Sequence, residues 1–165
     1  MRKFYTIIIL LCLSSAAFSQ FYYKEVGIRF GYSSGITFRV NLEEMLSYEA
    51  QLNYRDKGAM FTMYRQQHKE IGMDRLGNWE FLYGFGLHAG FYNTDTYKIL
   101  NREIYYGREI FTPVIGMDGY LGIDYKLVDF PMSFGISFQP YMELSMKQVF
   151  GINLWDFGFH TRYMF

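Results

Sequence analysis

Hydrophobic and polar residues alternate one by one over several stretches of this chain. In the last stretch, one face carries Phe157, Phe159, Thr161, Tyr163 and Phe165, and the other carries Gly158, His160, Arg162 and Met164. A period of two is that of a β-strand with one apolar and one polar face. Closing such strands into a barrel satisfies their backbone hydrogen bonds even inside lipid. The pattern therefore predicts an all-β chain whose strands form a barrel that crosses a membrane.

Eight stretches of this kind divide the chain. The predicted strands are 25–32, 36–41, 47–55, 59–68, 79–92, 111–127, 132–141 and 149–165. The first two could instead form one long bulged strand. Strand 79–92 alternates most clearly, because aromatic and aliphatic residues on one face oppose glycines and polar residues on the other. Between the strands, 129–131 predicts a tight turn, 69–78 a polar connection and 93–110 a long Tyr-rich loop.

The length of the chain favours eight strands. A membrane-spanning strand needs about 9 to 11 residues, so eight strands use about 80 residues and leave enough for the connections. Ten strands remain an alternative but would leave little for nine connections. With both termini on the periplasmic side, 129–131 lies inside and 93–110 outside, as short and long connections should. In this arrangement 69–78 becomes an unusually long periplasmic turn.

The first residues have the features of a secretory signal peptide. Arg2 and Lys3 precede an apolar run over 4–13, and the small residues Ala17 and Ser19 follow. This order predicts cleavage after Ser19, leaving 20–165 as the barrel domain. A retained transmembrane helix is the alternative, but it would need about 20 apolar residues, twice the length of this run.

Cysteine and charge exclude several classes of protein. The only cysteine, Cys12, lies inside the predicted signal peptide and follows Leu11 instead of the small residue that a lipoprotein signal requires. The mature chain therefore has no disulfide, no thiolate metal ligand and no cysteine nucleophile. Sixteen basic residues balance sixteen acidic ones. There is no basic tract for nucleic acid.

Bulk composition agrees with a barrel. The mean hydropathy is −0.06 although half of the residues are hydrophobic, because the apolar side chains are dispersed along the strands. Aromatic residues make up 21% of the chain, which suits aromatic girdles at two membrane interfaces. The expected location is the outer membrane, with its lipid as the surroundings.

The inward face of the predicted barrel collects charged and ionisable residues of both signs. They are Arg29, Arg39, Glu49, Arg55, Glu80, His88, Asp118, Asp124, Lys126, His160 and Arg162. Side chains fill the interior of an eight-stranded barrel, so we expect these groups to pair and to block passage. Arg29 and Arg162 are predicted to share a region of the interior, with Asp124 or Glu80 as partners. A narrow polar path for a small solute is the alternative.

The sequence offers no motif for catalysis or for a cofactor. The three histidines, His68, His88 and His160, lack the short spacing of metal ligands and are expected to be hydrogen-bonded fillers. Barrel enzymes that deacylate lipid need a serine activated by a neighbouring histidine, and no His-x-Ser run occurs. The prediction is a protein that is not an enzyme and has no metal or other cofactor.

A family resemblance adds to this interpretation. The segment 116–127, the turn at Pro131 and the stretch 133–140 resemble the small outer-membrane β-barrel proteins of the OmpA-like and OmpX-like superfamily. The segment 27–37 and the terminal Phe165 look similar too. The resemblance implies an eight-stranded antiparallel transmembrane β-barrel in the outer membrane. It transfers no catalytic or binding residue.

Two regions suggest partners. Phe159, Tyr163 and Phe165 resemble the C-terminal signal by which the barrel-assembly machinery recognises its clients. Tyrosines in and beside 93–110 offer a binding surface for an unknown partner, or else pack onto the barrel rim. These tyrosines are Tyr92, Tyr97, Tyr105 and Tyr106.

The sequence thus favours a closed barrel with a polar-filled interior and a structural or interaction role. A porin-like pore or carrier for a small or hydrophobic solute is the second hypothesis, and a lipid-modifying barrel enzyme is the third. A soluble lipocalin-like barrel would place the aromatic face inward around a ligand. The continuous aromatic stripe and the terminal Phe165 favour the membrane instead.

Overall fold

A computed structural model describes residues 24–43, 45–55, 57–99, 102–145 and 151–165, and the side chains among them outside 94–110. The predicted signal peptide at 1–19 lies outside the described residues. Within these ranges there are ten strands, and every pair of neighbours is antiparallel. They are β1 (Lys24–Gly31), β2 (Ser34–Glu43), β3 (Leu46–Arg55), β4 (Gly58–Met73), β5 (Gly77–Ile99), β6 (Arg102–Leu127), β7 (Met132–Phe138), β8 (Tyr141–Ser145), β9 (Gly151–Asn153) and β10 (Phe157–Met164).

These strands form one closed barrel with eight positions in its wall. Each strand from β1 to β6 pairs with the next along the chain, and β10 pairs with both β7 and β1 to close the ring. β7 and β8 both pair with β6 and together fill the seventh position. β9 pairs with β8 and, with β10, fills the eighth. The predicted eight-stranded antiparallel barrel is confirmed, and β1 and β2 are separate strands.

The seventh and eighth positions are interrupted at the same height. Gln139 and Pro140 separate β7 from β8, opposite the three residues 154–156 between β9 and β10. The backbone N–H of Gly119 donates to Pro140 O at 2.8 Å, and that of Gln139 donates to Asp156 O at 2.8 Å. A proline cannot donate to the ladder, so it is tolerated at such a bulge. Three residues opposite two make the wall bulge here.

The barrel is apolar outside and polar inside. Among the described residues, eight hydrophobic side chains are buried, against 26 that are polar or charged. Large apolar side chains on the outer face remain exposed, as Leu87 at 60% and Ile115 at 61% illustrate. Alternation along each strand produces this division because successive side chains point to opposite faces. No described segment forms a helix long and apolar enough to span a membrane.

The prediction that 69–78 is a long polar turn is wrong. β4 continues to Met73 and β5 begins at Gly77, so the turn holds only Asp74, Arg75 and Leu76. Pairing continues past the end of the alternation, with a bulge between Glu70 and Gly72. Alternation of polar and apolar residues indicates a strand with one buried face. Past the rim of the barrel both faces are exposed, so the pattern ends before the strand does.

The prediction of a loop over 93–110 needs the same correction. The backbone of β5 runs on to Ile99 and that of β6 begins at Arg102, so most of this region is a paired hairpin. The pairing is irregular between Thr94 and Thr96. The hairpin extends from the same end of the barrel as the β1–β2 and β3–β4 turns.

Candidate functional site

The polar interior is the candidate site, because it collects the buried ionisable residues of the described chain. Ten of the eleven residues predicted to face inward are buried, and Lys126 is half-buried, with 21% of its side chain exposed. They form two groups, one toward the end of the barrel that holds the termini and one toward the opposite end. The first is the lower group and the second is the upper group.

The lower group is built around two arginines. Arg39 contacts Glu49 at 2.8 Å, Asp124 at 3.0 Å and Glu25 at 3.1 Å. Arg162 contacts Asp124 at 3.0 Å and Glu49 at 3.2 Å. All five side chains are fully buried. Two cations and three carboxylates thus neutralise most of each other's charge without help from solvent, which is the condition for burying ions.

Strand register explains why these side chains meet. Arg39 lies directly opposite Glu49 on β3 and opposite Glu25 on β1. Directly opposite residues on one face of a sheet have their side chains within contact distance. Arg162 comes from β10 and Asp124 from β6, so these two side chains meet over the strand between them, β7.

A glycine allows one of the shortest contacts. Asp124 pairs with Gly135 on β7, and Gly135 pairs with His160 on β10. The Asp124 carboxylate reaches over this position to His160 Nε2 at 2.6 Å. A Cβ added at Gly135 would lie 2.3 Å from Asp124 Oδ1 and 2.4 Å from His160 Nε2. Gly135 therefore leaves the room that this contact occupies.

Beside the lower group lies a chain of hydrogen bonds from a serine through a histidine to a carboxylate. Ser47 Oγ is 2.6 Å from His68 Nε2, and His68 Nδ1 is 3.1 Å from Glu80 Oε2. This is the order of groups that activates a serine in hydrolases. Here Ser47 is fully buried and Glu80 also pairs with Lys126 Nζ at 2.9 Å. While the barrel is closed, a substrate carbonyl cannot reach Ser47 Oγ. The three hydrogen-bonded side chains therefore serve as packing groups of the interior.

The upper group begins at Arg29. Its Nη2 is 2.8 Å from Asp156 Oδ1, its Nη1 donates to Ser33 O, and its Nε donates to Ser137 Oγ at 3.2 Å. Ser33 Oγ donates to Asp156 Oδ2 at 2.6 Å. The predicted pairing of Arg162 with Asp124 is present, whereas Arg29 pairs with Asp156, not with Asp124 or Glu80.

The rest of the upper group surrounds Glu143. Its Oε2 accepts from Tyr92 OH at 2.7 Å and from Arg55 Nη2 at 3.3 Å. Arg55 also donates to Tyr92 OH and stacks on the Tyr141 ring, 3.7 Å from its centroid. Nearby, His88 Nδ1 is 2.6 Å from an Asp118 oxygen, which leaves both side chains of that pair buried and partnered.

Two tyrosines and a leucine lie between the two groups. Tyr64, Leu82 and Tyr120 form a buried cluster, with the two tyrosine rings 5.3 Å apart edge to face. Tyr64 OH donates to Gln139 on the upper side, and Tyr120 OH accepts from Arg162 on the lower side. Large side chains at this level separate the charged groups and occupy the middle of the barrel.

Sequence reasoning missed three acids that complete these groups. Glu25 precedes Gly27 and Arg29 by even steps, so the alternation already placed it inward. Glu143 lies two residues after the inward Tyr141 on β8, but the predicted strand 132–141 ended before it. Asp156 precedes Gly158 and His160 by even steps, so the alternation of the last strand already placed it inward as well.

No group of three or more His, Cys, Asp or Glu side chains within the described ranges is arranged to hold a metal ion. His68, His88 and His160 contact carboxylates or a serine instead. The absence of a cofactor remains an expectation from the sequence.

The C-terminal aromatic residues lie on the outer face at the seam of the barrel. Phe159 and Phe165 are exposed, and the rings of Tyr163 and Phe165 stack 6.3 Å apart. The backbone N–H of Phe165 donates to Lys24 O at 2.8 Å, and Lys24 N–H donates back at 3.1 Å. The last residue of the chain therefore extends the pairing that closes the ring.

The tyrosines assigned to the surface region divide into two sets. Tyr92 points inward and is buried against Arg55 and Glu143. The side chains of Tyr97, Tyr105 and Tyr106 lie outside the described part of the structure.

Together these observations define the chain as a closed eight-stranded antiparallel β-barrel with an apolar outer wall and a charge-paired, side-chain-filled interior. Neither a protein-family model nor a curated protein nor a solved structure matches it. The resemblance to OmpA-like and OmpX-like barrels therefore stays a prediction from the sequence.

Proposed function

We propose that this protein is an outer-membrane barrel with a closed interior, acting as a structural or interaction protein that presents the 93–110 hairpin at the cell surface. The observation that supports the proposal is the distribution of polar and apolar side chains, which is the reverse of that in a soluble protein. Aromatic and aliphatic residues cover the outer wall, while charged residues fill the inside.

Water is a poor solvent for such a wall. Soluble monomers rarely expose contiguous apolar patches larger than a few hundred Å². Each Å² of apolar surface moved out of water contributes about 25 cal/mol, so lipid contact favours this wall strongly. A lipocalin-like carrier would need its apolar face inside, around a ligand. Here that position holds buried ion pairs such as Arg39–Glu49 and Arg29–Asp156.

A pair of aromatic residues fits a membrane interface. The rings of Trp79 and Tyr125 lie 4.6 Å apart on neighbouring strands at the end of the barrel that holds the termini. Trp and Tyr favour the level of lipid headgroups because their rings are apolar and their N–H or O–H groups need polar partners. The predicted signal peptide at 1–19 supports export to that membrane.

The filled interior favours a closed barrel over a pore. Tyr64 and Tyr120 occupy the middle of the barrel, and Arg39 and Arg162 fill the interior below them with partners from several strands. An open polar path would require these buried pairs to separate, which is costly. The buried position of Ser47 likewise favours a role other than catalysis.

The first experiment is fractionation of cells that express the full chain or a variant lacking Phe165, with gel mobility compared before and after heating. We expect the intact protein in the outer-membrane fraction as a compact form that heating converts to a slower one. Loss of that form without Phe165 would support the assembly machinery as partner. Trp155→Ala is the matched control, because Trp155 is an exposed aromatic residue away from the terminus.

Recovery of the intact protein from the soluble periplasm would contradict the membrane proposal. Planar-bilayer recordings then separate the closed barrel from the pore. A membrane barrel that produces no conductance steps fits the proposal, whereas regular steps from the wild-type protein would favour the pore.

A further inference from the structure

A trough of about 480 Å³ crosses the outer wall of the barrel. Strand register shows how it is built. One side is a row of outward residues that pair from strand to strand: Phe30, Phe159, Ile136, Ile123 and Phe81. The other side is the next outward row, formed by Phe157, Phe138 and Leu121.

The floor of the trough is backbone. Gly158, Ser137 and Gly122 form the row between the two sides. Ser137 directs its hydroxyl inward, where it accepts from Arg29. The positions of the two glycines also face inward, since a Cβ at Gly158 would meet the Arg29 side chain and one at Gly122 the Tyr120 ring, both inside the barrel. The lining is thus almost entirely apolar, with the polar groups of the ladder turned toward neighbouring strands.

The dimensions of the trough are those of a single hydrocarbon chain. Its longer side crosses five neighbouring strands, so four spacings of about 4.8 Å give a length of about 19 Å. Its two rows are two residues apart, about 7 Å along a strand. The hydrocarbon core of a bilayer is about 30 Å thick, so a lipid tail in one leaflet spans about 15 Å. The volume also lies within the range of about 300 to 1,000 Å³ typical of ligand sites.

Aromatic residues mark both ends of the trough. On β5, Phe81 stacks on Tyr83 with ring centroids 6.0 Å apart, and Trp79 is the next outward residue below it. At the other end Phe30 is followed by the outward, exposed Tyr32, whose backbone N–H bonds to Phe157 O. Such residues belong near lipid headgroups. The trough therefore leads from one aromatic end of the apolar wall toward the other.

We propose that this trough binds one acyl chain of a membrane phospholipid as a resident ligand, an inference that rests on the proposed membrane location. The site is continuous with the lipid-facing wall, and its length and width suit one extended chain. A protein partner would need about 800 Å² of its surface in contact. Two short rows of side chains offer far less. Half-buried Phe81, Ile123 and Phe138 supply the dispersion contacts that favour a held chain over a passing one.

The test uses the full mature protein in phosphatidylcholine vesicles that contain a small fraction of phosphatidylcholine with a diazirine midway along one acyl chain. Irradiation attaches the lipid to whatever it touches, and mass spectrometry locates the adducts. We expect severalfold more adduct at Ile136, Phe138 and Leu121 than at Leu87 and Ile115, which are wall residues outside the trough and at least as exposed as the three trough residues.

Matched tryptophan variants sharpen the result. Ile136→Trp fills the middle of the trough and should reduce the adduct there severalfold. Ile115→Trp makes the same change on the wall elsewhere, since Ile136 is 60% and Ile115 61% exposed, and should leave the yield unchanged. A heat-modifiable band for each variant shows that it is folded in the membrane.

Each other outcome has a separate meaning. Equal labelling along the whole wall would overturn the acyl-chain site and leave the membrane barrel intact. High-yield disulfide dimers of Ile136→Cys, in a mature chain with no other cysteine, would overturn it in favour of a second copy. A protein with neither wall adducts nor a heat-modifiable band would overturn the proposed location itself.

Discussion

Arg39 and Arg162 donate to the same carboxylate oxygen. Asp124 Oδ2 lies 3.0 Å from Nη1 of each guanidinium group. Two buried cations at this spacing repel each other unless anions lie between them. Asp124 is therefore the counter-charge on which both arginines depend, with Glu49 as the second acid that they share.

Asp124→Asn should destabilise the barrel strongly. The amide keeps the shape of the side chain but removes the charge, leaving both buried guanidinium groups without the carboxylate that they share. Breaking a buried ion pair from one side costs about 3 to 5 kcal/mol. The urea midpoint of the heat-modifiable form measures this loss. Asp129→Asn, in an exposed turn, is the control and should leave the midpoint unchanged. Equal midpoints for both variants would mean that Asp124 carries no such role.

Gly135→Ala should disturb the same cluster through its shape. The added methyl group would collide with Asp124 Oδ1, with His160 Nε2 and with the backbone O of Ile123, which is 2.6 Å away. Overpacking of this kind costs about 1 to 3 kcal/mol. Gly72→Ala is the matched control, because a Cβ there has no neighbour within 4 Å. The prediction fails if unfolding in urea ranks the two variants equally.

Ser47 should be unreactive in the folded protein. Its hydroxyl is bonded to His68 as in a serine hydrolase, but it is fully buried and a bulky electrophile cannot reach it. A fluorophosphonate probe should therefore leave the membrane-embedded barrel unlabelled while labelling a serine hydrolase added to the same sample. Labelling that disappears in Ser47→Ala would reverse this conclusion and would make the barrel an enzyme candidate.

Acid should weaken the β4–β5 turn. One oxygen of Asp74 accepts from the backbone N–H groups of Leu76 and Gly77, each at 2.8 Å, and from Tyr125 OH at 3.0 Å. These hydrogen bonds, the two backbone ones first, favour the carboxylate and lower the pKa of Asp74 below its ordinary value of 3.8.

The sign of the pH effect follows from that direction. Because folding lowers the pKa, the ionised Asp74 adds stability above its unfolded pKa, and this contribution is lost as the pH falls through the folded pKa. NMR titration of the carboxyl group should give a midpoint below 3.8. In Tyr125→Phe the midpoint should rise but stay below that value, since both backbone donors remain. A midpoint above 3.8 in the wild-type protein would contradict the hydrogen-bonded turn.

The sequence predicted the parts of the fold that depend on alternation. Where one face of a strand is polar and buried and the other is apolar and exposed, the period of two is strict, and strands such as β3 were recognised within one residue of their bounds. The continuation of β4 to Met73 and of β5 to Ile99 was missed. In β4 both faces of 69–73 are exposed, so the hydrogen-bonded ladder there leaves no trace in the residue pattern.

The composition of the interior was predictable but the pairing was not. Alternation placed Arg29, Asp124 and Arg162 inward, yet only the registers of β1, β6 and β10 bring Arg162 to Asp124 and send Arg29 to Asp156. The serine, histidine and glutamate of the Ser47 chain come from three adjacent strands, so a search for neighbours along the sequence could not find them.

By itself the sequence determined that this chain is all-β, that its strands have one apolar and one polar face, and that about eight of them fit its length. These properties are local, since each follows from successive side chains pointing to opposite faces of a strand. The tertiary structure decided which strands lie next to each other, how far each one slides along its neighbour and where the wall bulges. Strand order, register and bulge position determine which charges neutralise each other and where the trough crosses the outer wall. Contacts across a closed sheet join residues far apart in the chain.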